Sequence, residues 1–123
     1  MPTKRSERIG ELILEYVSQL LIRQINDPRI GGVTLTGAEV SRNLRHARIY
    51  FSILAEKEPK GEVLNGLRSA TGFIRSKIAR GLGLRFAPEI EFVYDDTQEK
   101  AQRIEQLLRQ VKDDKSQMTN GKR

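Results

Sequence analysis

The sequence predicts an α+β fold, a two-layer sandwich in which a three-stranded sheet carries its helices on one face. Three observations predict it. Apolar residues recur every three to four positions in the stretches assigned to helices, the period of a helix packed along one side. In three shorter stretches they alternate with polar residues, the period of a half-buried strand. The order is helix, strand, strand, helix–kink–helix, strand, helix, and strands that are not each followed by a helix favour helices gathered on one side of the sheet.

The first helix is predicted over residues 6–25, where Ile9, Leu12, Ile13, Tyr16, Val17, Leu20, Leu21 and Ile25 keep helical spacing. Asn26-Asp27-Pro28 ends it, because proline disfavours helix for the residue before it, and Gly31-Gly32 permits a sharp turn. Residues 33–41 read as a strand whose apolar phase slips at Gly37, which predicts a bulge there. Ser41-Arg42-Asn43-Leu44 is a turn. In the strand at 45–54, Ala47, Ile49, Phe51 and Ile53 alternate strictly, and the short connection predicts an antiparallel hairpin. A polar loop follows at 55–61. Val63, Leu67, Ala70, Ile74, Ile78 and Leu82 line one stripe of the next helical segment. Gly72, within Ala70-Thr71-Gly72, predicts that this helix bends or restarts. Gly81, Gly83 and Pro88 close it. Ile90, Phe92 and Tyr94 alternate as a third strand. Asp95-Asp96-Thr97 caps a last helix, with Glu99 placed for a capping box, and Ala101, Ile104, Leu108 and Val111 form its stripe. Residues 1–111 are read as one domain and 112–123 as a disordered charged tail.

A chain of 123 residues suffices for one core without staples. With no cysteine, thiol chemistry and Cys-based metal sites are excluded, and a His-based zinc site or acid–base pair would rest on the single histidine, His46. No apolar run approaches the roughly 20 residues that cross a bilayer, and the charged start lacks a signal-peptide hydrophobic region, so a cytoplasmic protein without membrane contact is expected. The net charge is +6, and its placement is informative. Residues 40–55 hold Arg42, Arg45 and Arg48 without an acid; residues 63–88 hold Arg68, Arg75, Lys77, Arg80 and Arg85 without an acid; the other 14 basic and 16 acidic residues net to −2. Such a concentration predicts an anion- or nucleic-acid-binding face. A helix restarting at Ala70-Thr71-Gly72 would add free N–H groups and a positive dipole end for phosphate.

No catalytic constellation accompanies these cations. Asp95 and Asp96 precede a helix and suit capping. Ser69, Thr71 and Ser76 have no base on their own element, Glu89 and Glu91 alternate onto the solvent face of their strand, and no phosphate-loop or dinucleotide fingerprint occurs. The sequence predicts a protein that is not an enzyme, with no metal, cofactor or small-molecule substrate.

A helix–kink–helix between two strands is the core of a KH domain, a module that clamps nucleic-acid backbone at the inter-helix turn, and the helix and strand before it resemble the type II order. The usual GxxG is absent and Ala70-Thr71-Gly72 stands in its place. In this the chain resembles the ribosome-binding factor A family, whose kink is Ala-x-Gly. Asn26-Asp27-Pro28-Arg29-Ile30, Glu39-Val40-Ser41-Arg42-Asn43-Leu44, ATGFI from Ala70 to Ile74, Pro88-Glu89-Ile90 and Tyr94-Asp95-Asp96 fit the same family, and the resemblance spans about residues 5–111. It implies a monomeric, non-enzymatic factor that binds the immature small ribosomal subunit through its rRNA. Such a factor aids 5′-end processing of that rRNA, leaves before translation and supports growth in the cold. Carried over by residue, Ala70, Thr71 and Gly72 are the kink, Arg75, Lys77 and Arg80 the positive face behind it, and Arg42, Arg45 and Arg48 its extension across the hairpin; Arg68 and Arg85 join it. The rival expectation is a protein–protein module that docks a partner through the first or last amphipathic helix, which exposed apolar positions on either would favour.

Overall fold

Thr3 starts the first helix, α1 (Lys4–Arg23): its hydroxyl accepts from the Ser6 N–H at 3.0 Å while the Ser6 hydroxyl accepts from the Thr3 N–H at 2.8 Å. This reciprocal cap satisfies two donors that a helix end leaves unpaired, so α1 begins two residues before its apolar stripe suggests. The computed structural model describes residues 3–54 and 58–121, the stretch 113–121 by its backbone alone. Beyond α1 the chain forms a 3-10 turn (Pro28–Ile30), β1 (Val33–Val40), β2 (His46–Ile53), α2 (Lys60–Gly81), β3 (Glu89–Tyr94) and α3 (Thr97–Gly121). These elements make the expected α+β arrangement.

The sheet order is β1-β2-β3, with β1 antiparallel to β2 as the short connection requires and β3 parallel to β2, the long α2 serving as crossover. Leu35 pairs with Phe51 and Gly37 with Tyr50, leaving Thr36 as the extra residue of a bulge where the apolar phase slips. The hairpin turn is held by Asn43, whose Oδ1 accepts from the Arg45 N–H at 3.0 Å and from the Ser41 hydroxyl at 2.7 Å.

One face of the sheet presents Ala47, Ile49, Phe51 and Phe92, all buried, to Ile13, Val17 and Leu20 of α1 and Val63, Leu67, Ile74 and Ile78 of α2. Each large apolar side chain so buried contributes about 1.5–3 kcal/mol. Phe51 also meets the Tyr94 ring edge-on, centroids 5.6 Å apart. The 3-10 turn packs its buried Ile30 against α2, and Asp27 ties it down by accepting from the Arg29 N–H (2.9 Å) and guanidinium (2.8 Å). Gly83, at φ +63°, reverses the chain after α2; the left-handed region costs glycine little.

One expectation changes. The helix expected to bend or restart at Ala70-Thr71-Gly72 does not restart: α2 runs without a break from Lys60 to Gly81. Glycine in a helix interior costs only about 1 kcal/mol, and the buried Leu67 on one side and Ile74 and Ile78 on the other anchor both halves to the sheet. There is no second N-terminus there, and its free N–H groups are absent. Residues 97–112 of the last helix are exposed, Ile104, Leu107, Leu108 and Val111 at 55–65%. Helix α3 is assigned as far as Gly121, within the stretch 112–123 read as a charged tail, while residues 122 and 123, like residues 55–57 of the polar loop, lie outside the described residues.

Capping at α3 falls to Asp95, whose Oδ1 accepts from the Thr97 N–H at 3.0 Å and whose Oδ2 accepts from the Thr36 hydroxyl at 2.7 Å; Glu99 instead takes the Tyr94 hydroxyl. These bonds hold the Asp95 carboxyl below the ordinary carboxylate range, the Thr97 side chain contributing most and Thr36 next. Arg29 does the same to Asp27 through its side-chain hydrogen bond. A depressed folded pKa stabilises the fold above the unfolded value of about 3.9 and stops doing so as pH falls through the folded value. Thermal stability is therefore expected to be insensitive to these two groups at pH 5–8 and to fall below about pH 4. Asp95→Asn should flatten that acid decline, and an identical acid limb in wild type and variant would remove Asp95 from the account.

Candidate nucleic-acid interface

The eight cations of the two acid-free stretches fall into three places, and only two of them leave charge free. The first is the outer ridge of α2. Arg68, Gly72, Ser76 and Arg80 follow each other at four-residue intervals, so they lie in one row along the helix, about 18 Å from end to end, and all four are exposed. Small residues occupy the middle and an arginine each end. Ser69 and the 42%-exposed Phe73 flank the row, and the Lys77 ammonium lies 5.4 Å from the Phe73 ring centre. Among the described residues no ion pair involves Arg68, Lys77 or Arg80.

Gly72 sits at the centre of this ridge, and a Cβ built there meets nothing within 4 Å. Packing therefore does not require glycine. Gly72→Ala is expected to stabilise the protein by about 0.5–1 kcal/mol through helix propensity alone, read as a raised urea midpoint. A lowered midpoint would mean that the backbone there needs glycine after all.

The second place is the open face of the sheet and the lip of β3, where charge is paired. Arg48, exposed on that face, donates from Nε to Glu91 at 2.9 Å; contacts with the Tyr50 hydroxyl and then Glu91 push its pKa further up. Arg75 donates from Nε to the Pro88 carbonyl at 2.8 Å and from Nη2 to the Ala87 carbonyl at 3.2 Å, with Glu89 at 3.4 Å. It is a brace between α2 and the start of β3. Of the expected kink residues, Ala70 packs against the core, and the Thr71 hydroxyl donates to the Leu67 carbonyl at 3.0 Å. Arg48, Arg75, Ala70 and Thr71 thus stand apart from the free cationic surface.

The third place is a cleft of about 400 Å³ between the start of α1, the β1–β2 turn and the loop after α2. Arg5, Arg42, Arg45 and Arg85 line it together with Leu44 and Phe86, and among the described residues no acidic side chain does. The Arg45 guanidinium lies 4.4 Å from the centre of the Phe86 ring and that of Arg85 5.8 Å. None of the four arginines forms an ion pair among the described residues. The sequence marks Arg42, Arg45 and Arg85 but not Arg5, whose charge is masked by nearby Glu7 and Glu11, nor Phe86, whose position beside Arg85 in an acid-free stretch was the available signal.

Among the described residues no cluster of three or more His, Asp or Glu side chains is arranged to hold a metal ion, and no helix is long and apolar enough to cross a membrane. Asp95 and Asp96 serve the α3 end, Asp96 meeting Lys100 at 3.5 Å. What the surface offers is unpaired guanidinium and ammonium groups with two part-exposed aromatic rings, chemistry suited to phosphate and bases.

Residues 5–108 match the sequence profile of the family described as Ribosome-binding factor A. A protein of that name from Geobacter metallireducens is 48% identical over 108 residues, covering 88% of this chain and 92% of its own. The crystal structure of ribosome-binding factor A from Thermus thermophilus superposes with a TM-score of 0.64 at 18% identity, over 72% of this chain and 94% of that one. A Thermus thermophilus homology model, fitted into a cryo-EM map of that factor's 30S complex, has the same fold, with a TM-score of 0.51 at 22% identity over 68% and 92% of the two chains.

Proposed function

The chain belongs to the ribosome-binding factor A family, and from that premise we propose that it binds the small ribosomal subunit through rRNA and assists its late maturation. The observation that carries this is the free cationic surface of α2 and the arginine cleft, which no acid lines among the described residues. The Thermus thermophilus protein fitted in a 30S complex supports the choice of partner. With no helix restart on α2, the contact is a matter of shape and charge, guanidinium groups meeting phosphates along folded rRNA, rather than a backbone clamp at a helix N-terminus. The protein acts in the cytoplasm as a monomer and without catalysis. It holds the immature subunit in a form that favours 5′-end processing of its rRNA, supports growth in the cold, and leaves before translation.

Co-sedimentation with purified small subunits across a salt series tests this. Log affinity should fall with log salt by about 0.7–0.9 per phosphate neutralised, so six contacts lose roughly a thousandfold between about 50 and 200 mM. Binding that ignores salt, or that favours large subunits equally, would remove the proposal. The second reading, a protein–protein module, rests on one observation. Helix α1 buries Ile13, Val17 and Leu20 and exposes Leu12 and Ile22, whereas α3 exposes Ile104, Leu107, Leu108 and Val111 together. If α3 docks a protein of the same subunit, Leu108→Glu lowers subunit binding without changing thermal stability; unchanged binding leaves the rRNA contact as sufficient.

A further inference from the structure

We propose that the arginine cleft is a binding site for an unpaired RNA nucleotide, separate from the α2 ridge; this rests on the rRNA-binding reading above. Three features carry it. The cleft is concave and walled by three chain segments, and its volume of about 400 Å³ lies in the range of small-ligand pockets. A duplex presents a convex backbone and cannot enter it; a base turned out of a loop can. Next, the cleft pairs charge with an aromatic surface. Phe86 is 50% exposed and carries the Arg45 guanidinium at 4.4 Å and that of Arg85 at 5.8 Å. A ring and a guanidinium plane are the two surfaces on which unstacked RNA bases stack, and the ring holds the arginines in place before any ligand arrives. Finally, Arg5 and Arg42 line the same cleft with no acidic partner among the described residues, available to the phosphates on either side of the base.

The two surfaces then divide the work. The ridge of α2, with small residues between Arg68 and Arg80, suits a continuous backbone. The cleft suits one base and its phosphates, which lets the protein distinguish an RNA with an accessible loop or end from one fully paired.

The test is titration of the whole protein with tetraadenylate, an abasic tetramer of equal charge, and a blunt RNA duplex, followed by NMR of the Phe86 ring and arginine Nε–H signals. Tetraadenylate is expected to shift Phe86, Arg45 and Arg85, and the duplex to shift Arg68 and Arg80 instead. Phe86→Ala should weaken tetraadenylate binding by roughly tenfold to a hundredfold and leave the abasic tetramer unchanged, with Phe86→Tyr restoring affinity. Equal affinity for the abasic and the base-bearing tetramer would mean an anion site only and overturn the proposal, as would tetraadenylate shifts confined to α2. Salt-dependent sedimentation with small subunits separates the two failures. If it persists while tetraadenylate misses the cleft, only the nucleotide site falls; if it is lost as well, the rRNA reading falls with it.

Discussion

The double variant Arg68→Glu, Arg80→Glu is expected to lose small-subunit binding by a hundredfold or more while unfolding like the wild type. Both side chains are exposed on the α2 ridge and neither forms an ion pair among the described residues, so their replacement breaks no contact in the fold. A hydrogen bond to a charged group is worth about 1.5–3 kcal/mol, and two lost together amount to roughly 10²–10⁴ in affinity before the repulsion of the new carboxylates is added. The salt slope should also become shallower, by about 0.7–0.9 for each contact removed. Arg75 is unsuited to this experiment despite lying on the same helix. Its bonds to the Pro88 and Ala87 carbonyls brace β3, so its reversal would change folding and binding at once. Wild-type affinity in the Arg68/Arg80 variant at moderate salt would place the interface elsewhere.

Gly66→Ala is expected to destabilise the protein although it puts the best helix former into the interior of a helix. A Cβ at Gly66 would stand 2.9 Å from Ile30 Cγ2 and 3.1 Å from Arg29 Cβ. Neither neighbour can easily withdraw, since Ile30 is 5% exposed within the core and Arg29 is fastened to Asp27. Overpacking of this kind costs about 1–3 kcal/mol, against about 0.5–1 kcal/mol gained from propensity. The net loss is read as a lower urea midpoint with an unchanged slope. Gly72→Ala, six residues along the same helix, is expected to move the other way, so the pair separates packing from propensity. A Gly66→Ala protein as stable as its parent would contradict the close approach of the 3-10 turn to α2.

The sequence by itself determined the element order, the β1–β2 hairpin, the bulge beside Gly37 and the buried stripe of α2. It could do so because each is written in spacing: period 3.6 or 2 records which side of an element meets the core, and a slipped period records an extra residue. The concentration of cations was legible in the same local way, through the acid-free stretches around Arg42–Arg48 and Arg68–Arg85. Whether each cation is free was not. Arg48 is paired because parallel β2–β3 register sets it opposite Glu91, 43 residues away, and Arg75 is a brace because β3 begins beside it. Tertiary packing likewise decided that α2 runs through Gly72, since burial on both sides outweighs one glycine. It also left residues 97–112 of α3 exposed, although its stripe has the spacing of a core helix. The cleft exists only in the folded chain: Arg5 opens α1 and Phe86 lies in the loop between α2 and β3, and a sequence pattern records neighbours along the chain, whereas a site records neighbours in space.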